Sequence, residues 1–129
     1  MNLSEVVTSL QAKSPTIKRV MYGGLAYAQE QLSEKVPAVY VAPFQETGLQ
    51  PTISNVHIQS VEEQFSVLLV CSYADFNAAR EAVMDALLGK SLTGSTHLTD
   101  FVSGEMVEAT GTLLYWRDVF QSRRERRVI

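Results

Sequence analysis

At 129 residues the chain has the length of one domain, able to bury about two-thirds of its extended surface without a metal or a disulfide to hold it. Its formal charge of -3 is unevenly placed: Arg117 to Ile129 holds five of the seven arginines against Asp118 and Glu125, a local +3, while the preceding 116 residues carry six bases and twelve acids, or -6. An acidic body with a basic end argues against a general nucleic-acid binder and for charge-steered contact with an acidic surface, including another copy of the chain.

Along the chain, Asn2 with Glu5 three residues on resembles a capping box, and Leu3, Val6, Val7 and Leu10 share a stripe, so a first helix is expected over about residues 3 to 12, ended by Ser14-Pro15. Ile17 to Tyr22 alternates as a strand does, Gly23-Gly24 breaks it, and Leu25, Ala28 and Leu32 mark a short second helix before Pro37. Ala38 to Ala42 is an unbroken apolar run between Pro37 and Pro43, the pattern of a central strand covered on both faces, with prolines at its ends because they cannot donate to the ladder. Gln45 to Thr52 reads as an exposed loop. The extended segment from Ile53 to Tyr73 follows, polar in its first part and apolar in its second, and fits either one bent strand or a projecting hairpin. Asp75 is placed to cap a helix with Phe76, Ala79, Val83, Met84, Leu87 and Leu88 on its apolar face, and Gly89 to end it in the left-handed conformation. Leu92 to Thr99 reads as a loop, then Asp100 to Glu108 and Thr112 to Gln121 as strands joined around Ala109-Thr110-Gly111. The expected fold class is α+β: a mixed, mostly antiparallel sheet with two to three helices packed against it.

Chemistry is sparse. Cys71 lies in the apolar run Val67 to Cys71 and is expected to act as a small buried hydrophobe. His57 and His97 are far apart and lack neighbouring cysteines or paired carboxylates, so no metal is expected. Gly23-Gly24 lacks the spacing of a dinucleotide loop, and Gly89-Lys90-Ser91 ends a helix where a phosphate site would begin one. Neither Ser103-Gly104-Glu105 nor Gly94-Ser95-Thr96 has the flanking glycines of a nucleophile elbow. Glu62 and Glu63, as adjacent strand residues, point to opposite faces and make a poor acid/base pair. No catalytic or cofactor-binding residue is expected, and the chain is not expected to be an enzyme. Met1 to Glu5 has neither a basic n-region nor an apolar h-region, and no segment approaches the roughly 18 apolar residues of a membrane span.

The domain is expected to cover residues 1–122, with residues 123–129 as a basic arm ending in Arg123-Arg124-Glu125-Arg126-Arg127. Three fates stand open for that arm: phosphate contact without an interleaved aromatic platform, a solvated terminus, or guanidinium groups laid on a neighbouring subunit's carboxylates. Tyr115, Trp116 and Phe120 just upstream read as strand residues packing into the core.

Val36 to Pro43, Gln64 to Val70, Ala79 to Gly89 and Gly111 to Phe120, with its Trp-x-Asp-x-Phe close, resemble in order and spacing the tail terminator proteins of long-tailed bacteriophages, siphovirus or Mu-like. Two departures from the commoner family pattern are Lys90 after Leu88-Gly89 and the arginine-rich end. The resemblance implies a structural virion protein, assembled in the host cytoplasm, forming a homo-hexameric ring that caps the head-proximal end of the tail tube. Such a ring ends polymerisation of the tube protein and presents a surface to the head-tail connector, while DNA passes through unread. A head-tail adaptor or a tail tube subunit is the alternative within the same class, and a small enzyme with an unrecognised site the alternative outside it. A ring needs two different, complementary patches per copy, which opposite charges in two regions can supply. Glu62, Glu63, Arg117, Arg123, Arg124, Arg126 and Arg127 are the expected subunit-interface residues, in contacts between copies or with the tube.

Overall fold

The computed structural model describes residues 2–31, 35–49 and 57–128, with side chains other than those of residues 57, 58, 127 and 128. Its elements in chain order are α1 (Leu3–Gln11), β1 (Arg19–Tyr22), α2 (Leu25–Glu30), β2 (Ala38–Gly48), β3 (His57–Cys71), α3 (Phe76–Leu87), β4 (Asp100–Ala109) and β5 (Leu114–Val128). The strands form one sheet in the order β1-β2-β3-β5-β4. β1 runs parallel to β2, and every other neighbouring pair is antiparallel. This is the α+β fold with a mixed, mostly antiparallel sheet and three helices that the residue pattern implied.

The register fixes which side chains share a face, because residues directly opposite in a ladder point the same way. One face carries Val39, Val41, Phe65, Val67, Leu69, Cys71 and Phe120 against Val6 and Leu10 of α1 and Ala79, Val83 and Leu87 of α3. Phe65 and Phe120, paired across β3 and β5, stack with ring centroids 5.6 Å apart at the centre of this layer. Full burial of each such side chain stabilises by about 1.5–3 kcal/mol. The opposite face carries Ala38, Tyr40, Leu68, Val70 and Tyr115 beneath Leu25 and Ala28 of α2. β2 is therefore covered on both faces over its first half, as its continuous apolar run requires.

The caps are partly as expected. The Asn2 side chain accepts a bond from the Ser4 backbone N–H at 3.0 Å, whereas Glu5 does not close a capping box. Its carboxylate takes the Thr93 backbone N–H at 2.8 Å and the Thr93 hydroxyl, tying α1 to the loop before β4 and holding the Glu5 carboxyl below its ordinary range. Asp75 stands at the N-terminus of α3 without a side-chain capping bond. Gly89 takes φ +76°, a conformation that strains any residue with a Cβ, and its N–H donates to the Thr99 carbonyl at 2.8 Å. Leu88, expected on the apolar face of α3, is exposed because the helix has already ended beneath it.

Two boundaries differ most from the residue pattern, while β1 and β5 each begin two residues later than expected, at Arg19 and Leu114. β2 does not stop at Pro43: its register shifts between Pro43 and Gln45, leaving Phe44 as the extra, exposed residue, and pairing then continues to Gly48. A bulge lets a proline sit inside a paired strand, and the expected loop begins only after Gly48. Residues 50–52 of that loop, 53–56 of the following extended segment, and Leu32 of the expected second helix lie outside the described residues. β5 likewise does not stop at Gln121. Residues 123–128, set apart above as a basic arm, continue the strand opposite β3 as far as His57 and Val128. The second half of β3 is buried, and from Ser60 to Gln64 buried and half-buried side chains alternate, as in a single strand running out of the core.

Candidate assembly surface

Past the two aromatic rings, β2, β3 and β5 run on as a three-stranded extension: Gln45–Gly48, the first half of β3 and the last eight residues of β5. Apart from the buried Val61, its described side chains are polar or charged, so charge pairing supplements packing. Glu62 and Arg123 are directly opposite and meet at 2.6 Å, on the α2 face of the sheet. Arg124 reaches diagonally on the other face to Glu63, whose side chain is only 7% exposed. Arg126 extends to Glu46 at 3.7 Å on that same face, linking the two outer strands of the extension across β3. On β4, Glu105 lies opposite Arg117 with 3.9 Å between their charged groups, a loose and mostly exposed pair. Arg127 stands opposite Ile58 in the ladder.

The acids and bases read as two patches for two subunits are thus neighbours in one chain. Exposed pairs such as Arg126–Glu46 contribute about 0–1 kcal/mol. The Glu63–Arg124 pair matters more, because a carboxylate so nearly buried is costly unless paired. Glu46 escaped the sequence reading because Gly48 and Pro51 marked Gln45 to Thr52 as a loop, and the residues from Pro43 to Gly48, all exposed, carry no alternation that signals a strand.

A further ion pair lies away from the extension. Asp118, in the Trp-x-Asp-x-Phe close, is fully buried on the α3 face of β5. Its Oδ1 accepts the indole N–H of Trp116 at 2.9 Å and a guanidinium N–H of Arg80 from α3 at 3.1 Å. The Arg80 guanidinium sits 5.3 Å from the Trp116 ring centroid and 5.6 Å from that of Phe101. Gly104 on β4 lies directly opposite Asp118, and a Cβ there would fall 2.6 Å from Asp118 Oδ1 and 3.1 Å from the indole. An aspartate inside an apolar strand was the one hint.

The molecule offers little for bond chemistry. Among the described residues no three His, Cys, Asp or Glu side chains converge as a metal set, and no helix is long and apolar enough to cross a membrane. Cys71 is buried, and desolvation pushes its thiol up to about 11, so it is not a thiolate near neutral pH. His97 is exposed, its Nδ1 2.9 Å from the Thr96 hydroxyl. The larger concavities are open: one of about 350 Å³ between α1 and Lys90–Leu92, one of about 370 Å³ between Phe44 and Arg124. The first is lined by Ser4, Glu5, Thr8, Ser9 and Lys90, and its Glu5 carboxylate is taken up by Thr93.

What the surface does offer is the sheet's own margins. β4 is an edge strand of ten residues, exposed along almost its whole length, with Phe101, Val102 and Met106 among the exposed apolar side chains. β1, four residues long, is the other edge.

Known proteins show the same architecture. A chain from the virion of a native gene transfer agent particle superposes with a TM-score of 0.62 at 17% identity, over 94% of this chain and 92% of that one, a likeness of fold. A crystal structure of the type 4 fimbrial biogenesis protein PilO from Pseudomonas aeruginosa overlaps over 67% of this chain and 58% of that one, at 14% identity and a TM-score of 0.34, too low to bear on the architecture. No curated protein matches the chain. The family described as phage tail terminator protein matches residues 1–128, from the first helix to the end of β5. The chain belongs to the phage tail terminator protein family.

Proposed function

We propose that this protein assembles with further copies of itself into a closed hexameric ring at the head-proximal end of the tail tube, in the host cytoplasm. There it stops addition of tube subunits and presents the surface that the head-tail connector meets. Membership of the tail terminator family over residues 1–128 carries this reading. The role is structural: no bond is made or broken, and no cofactor takes part. DNA passes through the ring without being read, a view supported by the net charge of -3 and by the engagement of Arg123, Arg124 and Arg126 with carboxylates of their own chain.

In this reading the three-stranded extension is a contact element towards the tube or a neighbouring copy, using Glu62, Glu63, Arg117, Arg123, Arg124, Arg126 and Arg127. Intrachain pairing stiffens it without exhausting it, since Glu125 and Arg126 remain exposed. A strand held in a charged ladder reaches its partner with less entropy left to lose than a free arm has.

The test is to add purified protein to growing tail tubes and follow tube length and tube ends by negative-stain microscopy. Tubes of fixed length with a ring at one end are expected. Continued growth, or unlimited polymerisation of the protein itself as a tube subunit would show, overturns the proposal. Charge reversal at Arg123, Arg124, Arg126 and Arg127 that leaves capping intact removes the extension from the account.

A further inference from the structure

We infer that the boundary between adjacent copies in the ring is formed by the two edges of the sheet, β4 of one copy lying antiparallel beside β1 of the next. This rests on the ring reading above and specifies its interface. Four observations carry it.

The first is direction. β1 is parallel to β2, and each step from β2 through β3 and β5 to β4 reverses the chain, so β4 runs opposite to β1. A rotation that continues the sheet from copy to copy brings the two edges together antiparallel, in the head-to-tail arrangement that a ring requires.

The second is length. β4 breaks register between Phe101 and Ser103 and again between Met106 and Glu108, leaving one unbroken stretch, Ser103–Met106. β1 is also four residues, Arg19–Tyr22, and in the register that matches the faces the two stretches overlap over three positions.

The third is charge on the face shared with α2. Asp100, Glu105 and Glu108 pair with Gln121, Arg117 and Tyr115 of β5, so all three point to that face, and all are exposed. Arg19, opposite Ala38, points to the same face on β1, with Lys35 lining the same small hollow. One edge is acidic and the other basic. On the α3 face, Phe101 and Met106 leave exposed apolar surface at the β4 edge, and Tyr22, opposite Val41, does so at the β1 edge. The register that keeps both faces and sets Glu105 against Arg19 places Ser103 opposite Met21 and Gly104 opposite Val20. Glu105 is available for this, being 69% exposed and only loosely held by Arg117.

The fourth is what the β4 edge excludes. Two bulges and a row of carboxylates disfavour β4 against β4, since like charges would face each other, while leaving a basic partner acceptable.

The experiment uses the full chain with purified tubes and reads ring mass by native mass spectrometry and analytical ultracentrifugation. Arg19→Glu alone and Glu105→Arg alone each place like charges at every boundary and should lower ring yield about tenfold. Mixing the two variants makes every boundary complementary again in a ring of alternating copies, and ring yield should return. That rescue also shows that both variants are folded. Wild-type rings accompanied by unimpaired single variants, or by impaired variants that mixing fails to rescue, overturn the edge boundary alone. A wild-type protein that forms no ring overturns the ring reading itself.

Discussion

Replacing Asp118 tests how far the cluster of Arg80, Phe101 and Trp116 around this buried carboxylate holds α3 and β4 onto β5. Asp118 is fully buried, and one oxygen, Oδ1, serves both the Trp116 indole at 2.9 Å and Arg80 at 3.1 Å. Asn keeps that acceptor but removes the charge, and places an amide N–H where Oδ2 has no hydrogen-bond partner among the described residues. Its cost is about 1–2 kcal/mol. Ala removes the acceptor altogether and leaves the indole N–H and a guanidinium without their partner. Breaking a buried pair costs about 3–5 kcal/mol, and because the Arg80 side chain is 30% exposed and water can reach it, the lower end applies, about 3 kcal/mol. For a chain of this size, each kcal/mol lowers Tm by about 4 °C, so Asp118→Asn should lose about 6 °C and Asp118→Ala about 12 °C. Thermal and urea unfolding at neutral pH, with Arg80→Met completing a double-mutant cycle, measure these values. An Ala variant losing less than about 1 kcal/mol, or an Asn variant as unstable as the Ala variant, would refute the assignment of Asp118 Oδ1 as a shared charged acceptor.

Two further outcomes follow from the same packing. Gly104→Ala sets a methyl group 2.6 Å from Asp118 Oδ1, which Arg80 and Trp116 hold in place, so it should destabilise by about 1–3 kcal/mol; Gly111→Ala, where no atom lies within 4 Å, should have a far smaller effect in the same urea titration. For Cys71, burial raises the thiol from its ordinary 9.0 to about 11, so between those values the unfolded chain releases a proton that the folded chain keeps. Stability therefore falls as pH rises from 9 to 11, by about 2–3 kcal/mol from this group at most. Urea midpoints across that range should drop less steeply in Cys71→Val, and an unchanged slope would place the thiol's proton in solvent contact.

The sequence alone carried the architecture. The apolar run at Ala38–Ala42 has the pattern of a strand covered on two faces, Gly89 after an amphipathic segment can end a helix in the left-handed conformation, and the polar-to-apolar gradient from Ile53 to Tyr73 says where the core begins. Those are local signals, set by the period of a helix or a strand and by what a backbone angle permits. What they missed depended on pairing across the sheet. Pro43 is tolerated inside β2 because a bulge removes the need for its N–H, and the basic end is a strand because β3 offers it both a ladder and carboxylates. Charge content was readable from residue types, but partner choice was not: Glu62 and Arg123 are 61 residues apart in sequence and meet only through the register of β3 with β5. The same holds for Arg80 and Asp118, joined by the seating of α3 on the sheet. An ion pair depends on separation in space, which residue types do not carry, so the tertiary structure alone decided which charges are held within the chain and which remain on its edges.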